Sequence, residues 1–370
     1  MSRLEVRWRN AGFEVFWKMF ITGIGTATPP RAYTQRECWE ALRDSKPFLQ
    51  LSPRAQTLLE KVLASDHGID SRHLSFENLS EAFNLNPDAL HQRFARFAPI
   101  LAAEAGRKAL AAANVSPEQI DAVLVSTCTG YLCPGLSGYV SEALGLRSDI
   151  LGLDLVGQGC GAALPNLQTA RAFIVSKTFG RVLSICAEVC SAAFYLDNDP
   201  GVLISACLFG DGAAALVCEN SPNNASRRIE WINSNSSLRT AQRESLRFEQ
   251  RHGMLRNVLH KRVPILASEM AASVLAESMR QNAFSMDQIA AWIFHAGGKN
   301  VLEALISSLG LTERDLRFSA GVLRQFGNVS SPSVLFALRA ALDERAPGGL
   351  WWLSSFGAGV SSHGALLRVE

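Results

Sequence analysis

The sequence predicts an α/β protein made of two related lobes, roughly residues 19–225 and 226–370, and three echoes within the chain predict it. Residues 116–125 read SPEQIDAVLV and residues 285–294 read SMDQIAAWIF, so both are Ser-x-acid-Gln-Ile-x-Ala followed by three apolar residues. The same register sets Cys160 against the neighbourhood of Asn328. It also aligns two Phe-Gly-x-Gly segments, LFGDGAAALVCE at 208–219 and SFGAGVSSHGALLRVE at 355–370. Three echoes in one order indicate duplication rather than chance.

Taken in chain order, residues 1–18 form an extension that pairs with neither repeat, and its scattered charges leave no apolar core of signal-peptide length. A first strand is expected from Phe20 onward. Ala103-Glu104 to Arg107 and Ala276-Glu277 to Arg280 mark matched helices ahead of the repeated segments. Each repeat then reads as helix, short turn and a continuous apolar strand. A strand without alternation suits a sheet covered on both faces. CGAALPNLQTARAFI after Cys160 and NVSSPSVLFALRAAL after Asn328 are small residues, a proline and then a helical run. The longest apolar stretch, Gly201 to Cys218, is broken by Asp211 and reads as a buried strand-turn-strand, not a membrane span.

Composition narrows the function. With 48% hydrophobic and 19% charged residues, the chain has the material for a large globular core. A net charge of +2 argues against a nucleic-acid-binding protein. Eight cysteines are scattered, mostly in apolar runs, with neither a C-x-x-C pair nor a His-x3-His partner, so no metal site is expected. Free cysteines of this kind suit a reducing, cytoplasmic compartment.

In open α/β sheets chemistry gathers where strands end and the next helix begins. Cys160 sits at such a point, among Gly157, Gly159 and Gly161, which permit a tight turn and close approach of a substrate. A helix N-terminus there is expected to favour thiolate over thiol. His295 follows the apolar strand AAWIF directly and precedes Gly297-Gly298, a suitable place for an acid/base or oxyanion donor. The other six histidines lack that context. Asn328 alone reads as a helix N-cap, a role Ser330 or Ser331 could fill equally. In register with Cys160 it becomes a donor to a thioester carbonyl or enolate.

These segments carry a resemblance. VGQGCGAALP (156–165), LFGDGAAALV (208–217), WIFHAGGKNVLEAL (292–305) and FGNVSSPSVLF (326–336) resemble the nucleophile, gate, His and Asn motifs of chalcone-synthase-like type III polyketide synthases. ITGIGTATPPRAYTQ (21–35) and GIDSRHL (68–74) are similar to that family's N-terminal segments. The resemblance implies a thiolase-like fold, two duplicated αβαβα lobes in a five-layered core, and a homodimer. It implies that Cys160 carries the starter and growing chain, that His295 and Asn328 support decarboxylation of malonyl-CoA, and that Phe209 gates the cavity. It implies no cofactor beyond the CoA thioester substrates, with an acyl-CoA or acyl-ACP starter, no nucleic acid and no membrane span.

The chain departs from the plant pattern at several places. Glu60, Leu63 and His67 stand where basic residues for CoA phosphates are usual, leaving Lys61 and Arg72 as substitutes. The last glycine-rich loop is Gly357-Ala358-Gly359. Cavity positions carry Cys128, Cys133, Cys190 and Ala193, small residues that suit a lipid chain, at about 0.8 kcal/mol per buried methylene. FYLDNDPGVLISACLFGDG (194–212) resembles bacterial members of the family, and with the small cavity residues this implies an alkylresorcinol or alkylpyrone made from a fatty acyl starter. A ketoacyl-ACP synthase III-like single condensation and a non-catalytic partner subunit on the same fold are the rival readings.

Overall fold

The structure, a computed structural model, describes residues 18–370 apart from 66 and 224–226. All of the expected extension except Lys18 lies outside the described residues. The first half runs β1 (Met19–Ala27), β2 (Ala32–Thr34), α1 (Gln35–Leu42), α2 (Lys46–Leu49), α3 (Pro53–Ala64), β3 (Ser71–His73), α4 (Pro87–Ala113), β4 (Ala122–Ser126), α5 (Leu136–Leu144), β5 (Leu151–Leu155), α6 (Ala163–Val175), β6 (Arg181–Glu188), α7 (Pro200–Leu208) and β7 (Gly212–Glu219). The second runs β8 (Ile229–Leu238), β9 (Leu246–Arg251), β10 (Met254–Leu259), α8 (Val263–Asn282), β11 (Ile289–Phe294), α9 (Lys299–Leu309), α10 (Arg317–Phe326), α11 (Ser333–Asp343), β12 (Gly349–Gly357) and β13 (Ser361–Val369).

The duplication is explicit in the sheet, whose order is β11-β12-β13-β8-β1-β7-β6-β4-β5. In one half β4 is parallel to β6, β6 antiparallel to β7, and β7 antiparallel to β1. In the other, β11 is parallel to β12, β12 antiparallel to β13, and β13 antiparallel to β8. The halves meet at Met19–Ile21, paired with Trp231 to Ile229. The repeated Ser-x-acid-Gln segments are the same device twice. Ser116 with Gln119, and Ser285 with Gln288, form capping boxes over a single 3-10 turn that feeds β4 and β11. The helices before them also end alike, on Asn114 at φ 54° and Ala283 at φ 50°.

The unalternating strands are covered on both faces. Val123, Val125, Leu183 and Ile185 pack beneath α4 and α5. Their neighbours Ala122, Leu124, Val182 and Cys186 face the main core with Leu164 and Leu167 of α6. Helices α6 and α11 each touch strands of both halves, whereas α4 packs on the first half and α8 on the second. The layers therefore run α4/α5, half-sheet, α6/α11, half-sheet, α8/α9, the five-layered thiolase-like core.

One element differs from the expectation. Residues 201–208 form the helix α7, not a strand. Asp199 caps it by accepting from the Gly201 amide, with Pro200 in the first turn. The strand after Asp211 is as expected. Among the described residues no helix is long and apolar enough to cross a membrane.

Candidate active site

Cys160 lies in a 3-10 turn, Gly159–Gly161, between β5 and α6. The turn is clamped by the other half of the molecule. A side chain at Gly357 would collide with the Gln158 carbonyl and the Gly161 amide, so this loop has to be glycine to seat on the turn. Ser355 Oγ also donates to the Gly161 carbonyl at 3.1 Å. Thus the loop after β12 presses directly on the turn that holds Cys160, and Ala358 between the two glycines reaches the cleft described below.

Asn328 and Ser330 come from the loop between α10 and α11. Asn328 N–H donates to the Leu208 carbonyl at 2.9 Å, and Gly210 N–H donates to the Asn328 carbonyl at 3.0 Å. The backbone at Phe209 is therefore fastened to Asn328. The Asn328 side chain donates to the Gly297 carbonyl at 3.1 Å and accepts from Ser330 N–H at 2.9 Å. Gly297 lies against the Nε2 edge of His295. His295 is 2% exposed, its ring edge-on to Phe356 at 5.2 Å, and its Nδ1 has no partner among the described residues. Ser330 sits at φ 57°, an uncommon conformation for a non-glycine residue, and its hydroxyl donates to Cys160 Sγ at 3.3 Å.

Behind these residues lies Glu188, which the sequence reading did not single out. It ends β6 with no exposure. Its carboxyl accepts from Ser331 Oγ at 2.6 Å, Thr129 Oγ1 at 2.9 Å, Cys128 N–H at 3.0 Å and Ser330 Oγ at 3.3 Å. Cys128 Sγ lies 3.5 Å from the same Ser330 hydroxyl. Burial pushes the Glu188 carboxyl up, against the pull of its donors, Ser331 foremost. The two serines do not cap α11. Both point back at Glu188, and no side chain caps that helix. Asp211 of the Phe-Gly-Asp-Gly segment is likewise buried and structural, accepting from Ser75 N–H, Ser191 N–H and Ser191 Oγ.

The site is electrically quiet. Burial pushes the Cys160 thiol up to about 12, with the Ser330 hydrogen bond pulling the other way. Enclosure of the thiol thus works against the helix terminus that was expected to favour the thiolate. Burial alone takes His295 down to about 3, so it is a neutral imidazole at pH 7.

A cleft of about 620 Å³, measured with its open mouth, reaches Cys160. Cys128, Cys190, Ala193 and Phe209 line it as expected, together with Ser330, Phe194, Ala206 and Ala358. His295 and Asn328 are not among its walls. Gly357 and Gly359 flank the lining Ala358 without lining it themselves. Cys133 does not line it either; it is exposed on the loop after β4. Arg72 also departs from its expected place at CoA phosphates. It is 3% exposed, with Nε donating to Gln35 Oε1 at 3.0 Å and Nη1 to the carbonyls of Ala206 at 2.7 Å and Phe209 at 3.0 Å. Its fork holds the end of α7 instead of facing solvent. Lys61 is exposed on α3 and away from the cleft walls.

Two family models match in tandem: FAE1/Type III polyketide synthase-like protein over residues 83–246, and the C-terminal domain of chalcone and stilbene synthases over 246–369. The chain is 28% identical over 361 residues to a 3,5-dihydroxyphenylacetyl-CoA synthase of Streptomyces toyocaensis, covering 94% of this chain and 89% of that one. It is 26% identical over 366 residues to the alpha-pyrone synthesis polyketide synthase-like Pks18 of Mycobacterium tuberculosis, covering 94% and 91%. In fold it is similar to PKS-I from the brown alga Ectocarpus siliculosus, with a TM-score of 0.86 at 23% identity over 96% and 100% of the two chains.

Proposed function

Because the chain belongs to the type III polyketide synthase family of condensing acyltransferases, we propose that it loads an acyl starter from CoA onto Cys160 and extends it with malonyl-CoA. The observation that carries this reading is the placement of Cys160 Sγ at the cleft, 3.3 Å from Ser330 Oγ, with Asn328 two residues before that serine and bonded to the Gly297 carbonyl beside His295. In the first step the Cys160 thiol gives its proton to the neutral imidazole of His295, the sulfur attacks the starter carbonyl, and CoA leaves as its thiol. Malonyl-CoA then loses CO2. The enolate oxygen is held by the His295 N–H and by the Asn328 amide, which has one N–H left after Gly297. The enolate carbon attacks the Cys160 thioester, displacing the thiolate and leaving the lengthened chain as a CoA thioester; the thiolate then attacks that thioester, CoA leaves, and the chain is back on the sulfur for the next round.

A fatty acyl starter and an alkylpyrone or alkylresorcinol product fit best. Cys128, Cys190 and Ala193 keep the cleft narrow in polarity and small in side-chain volume, and an acyl-ACP donor would present the same chain. A cytoplasmic homodimer completes the reading. The edge strand β5 leaves Leu151 and Leu153 exposed, with Val156 directly after it, an apolar edge that pairing with a second copy would cover. The test is to incubate the protein with malonyl-CoA and acyl-CoAs of graded length and identify products by mass. Alkyl-substituted pyrones or resorcinols from long starters are expected. A preference for aromatic starters would refute the lipid part, and a single-condensation product would refute the polyketide part.

A further inference from the structure

The hairpin β9–β10 is a two-stranded sheet of its own, and it supplies one wall of the Cys160 cleft through Leu246, Phe248 and Asn257. Asn257 and Phe248 stand opposite each other across the hairpin. Asn257 is 8% exposed, and its Nδ2 donates to Ser205 Oγ on α7 at 2.9 Å. Ser205 directs its one hydrogen to the Gly201 carbonyl at 2.7 Å. A hydroxyl whose proton is committed can only accept, so the NH2 end of the amide has to face Ser205. The Asn257 Oδ1 and its second side-chain N–H have no partner among the described residues.

This amide is not needed as a fastening. Arg256, its neighbour in β10, already ties the hairpin to the start of α7 through Asp197 at 2.8 Å and Asp199 at 3.1 Å, and to β9 through Glu249 at 3.2 Å. An apolar residue at 257 would suit a cleft whose walls include Val202, Ala206 and Phe209, and would leave no buried polar group unmet. A buried amide that keeps an acceptor and a donor open is arranged instead for a ligand with polar groups along its length. An alkyl chain has none. A poly-β-ketone has one at every second carbon, either a ketone that accepts from the N–H or its enol that donates to Oδ1.

We propose that Asn257 is a specificity residue that hydrogen-bonds a keto or enol oxygen of the growing chain and thereby fixes how many malonyl units are added before release. The inference rests on the reading of Cys160 as the acyl-bearing thiol. A chain too short to place an oxygen at Asn257 leaves the amide unmet beside apolar carbon, whereas one more unit satisfies it. The chain that reaches the amide is held against early release and goes on to the next condensation. Without that bond it leaves one unit sooner.

The experiment gives a saturated acyl-CoA and isotope-labelled malonyl-CoA to the wild type, Asn257→Leu and Asn257→Ala, and counts malonyl units per product by mass. The readout is the ratio of the longest wild-type product to the product one unit shorter. Being a ratio within one reaction, it does not depend on how much of the enzyme is folded; thermal midpoints check the fold. Both variants are expected to lower it roughly tenfold, the worth of one hydrogen bond. Space alone predicts otherwise. Leucine fills the cleft and alanine opens it, so a purely steric wall would move the ratio in opposite directions. Should Asn257→Leu fail to fold, Asn257→Ala decides by itself, since added room can only lengthen the product. A ratio unchanged or raised in either folded variant would overturn the role of the amide, with acyl loading of wild-type Cys160 still seen by intact mass. Absence of any adduct on wild-type Cys160 would overturn this inference and the proposed function together.

Discussion

Replacing Ser330 by alanine removes one hydroxyl and separates two roles that the geometry joins. That hydroxyl touches Cys160 Sγ at 3.3 Å and Glu188 Oε1 at 3.3 Å. For Glu188 the loss is minor, since Ser331 at 2.6 Å, Thr129 at 2.9 Å and the Cys128 amide at 3.0 Å still donate to it. One neutral-donor bond among several is worth about 1 kcal/mol, and alanine keeps a Cβ at φ 57°, so the backbone strain is little changed. For Cys160 the loss is larger. Burial raises its pKa, and the Ser330 hydrogen bond is the foremost influence lowering it. A hydrogen bond to a charged group contributes roughly 1.5–3 kcal/mol. At 1.36 kcal/mol per pKa unit this is about one to two units, or about 10- to 100-fold less thiolate at fixed pH.

The assay is alkylation by iodoacetamide between pH 6 and 10, with the modified cysteine assigned by peptide mass. Exposed Cys133 on the same molecule is the internal standard for reagent and pH. Ser331→Ala is the control, because it loses the shorter bond to Glu188 but has none to Cys160. Ser330→Ala should slow Cys160 alkylation about 10- to 100-fold, and Ser331→Ala less than about twofold. Equal rates in wild type and Ser330→Ala, or equal slowing in both variants, would refute the hydroxyl as the group that tempers the thiol.

Three further outcomes are expected. Cys160→Ala should show no acyl adduct by intact mass after incubation with starter, and an adduct retained elsewhere would move the nucleophile. His295→Ala and Asn328→Ala should each lower CO2 release from labelled malonyl-CoA by about 10²–10³ with the fold intact, and release near the wild-type rate in both would contradict enolate support. His363, with Nδ1 bonded to Ser236 at 2.8 Å, is pushed down to about 4 by burial. A histidine with a depressed folded value contributes stability that is complete above its unfolded value of about 6.5 and is lost as pH falls toward 4. His363→Asn should therefore flatten the acid-side loss by about 3 kcal/mol across that window, as read from urea unfolding at several pH values; parallel curves for both proteins would refute it.

The fold was legible because duplication writes the same physical problem twice. A strand buried on both faces must be apolar throughout, and a single 3-10 turn before it needs its own cap, so Ser116/Gln119 and Ser285/Gln288 recur. The turn around Cys160 was legible for a related reason, since only glycine fits where Gly357 lies on Gly161. Helix α7 was misread because its residues are apolar on every side and carry no period; the Asp199-Pro200 start was the signal available. Glu188 was hidden differently. Its partners Ser330 and Ser331 are 142 and 143 residues away, and a serine pair after Asn328 looks like an ordinary cap. Arg72 misled because a basic residue in a loosely matched motif carries no mark of whether it faces solvent or the α7 carbonyls.

The same enclosure that misled the thiolate expectation fits the proposed chemistry. Cys160 and His295 are both held neutral by burial, the one pushed up to about 12 and the other down to about 3. A neutral imidazole can accept the thiol proton when an acyl carbonyl arrives, and it can later donate one N–H to an enolate oxygen. An imidazolium could do neither as well, since it has no lone pair for the thiol and is acid enough to quench the enolate carbon. Asn328 adds a donor that cannot release a proton at all. Charge then develops in this site only along the reaction coordinate, where fixed, buried donors act most strongly. Glu188 keeps the arrangement from collapsing: it is a buried acceptor that ties Cys128, Thr129, Ser330 and Ser331, from both halves of the molecule, into one rigid wall behind the sulfur.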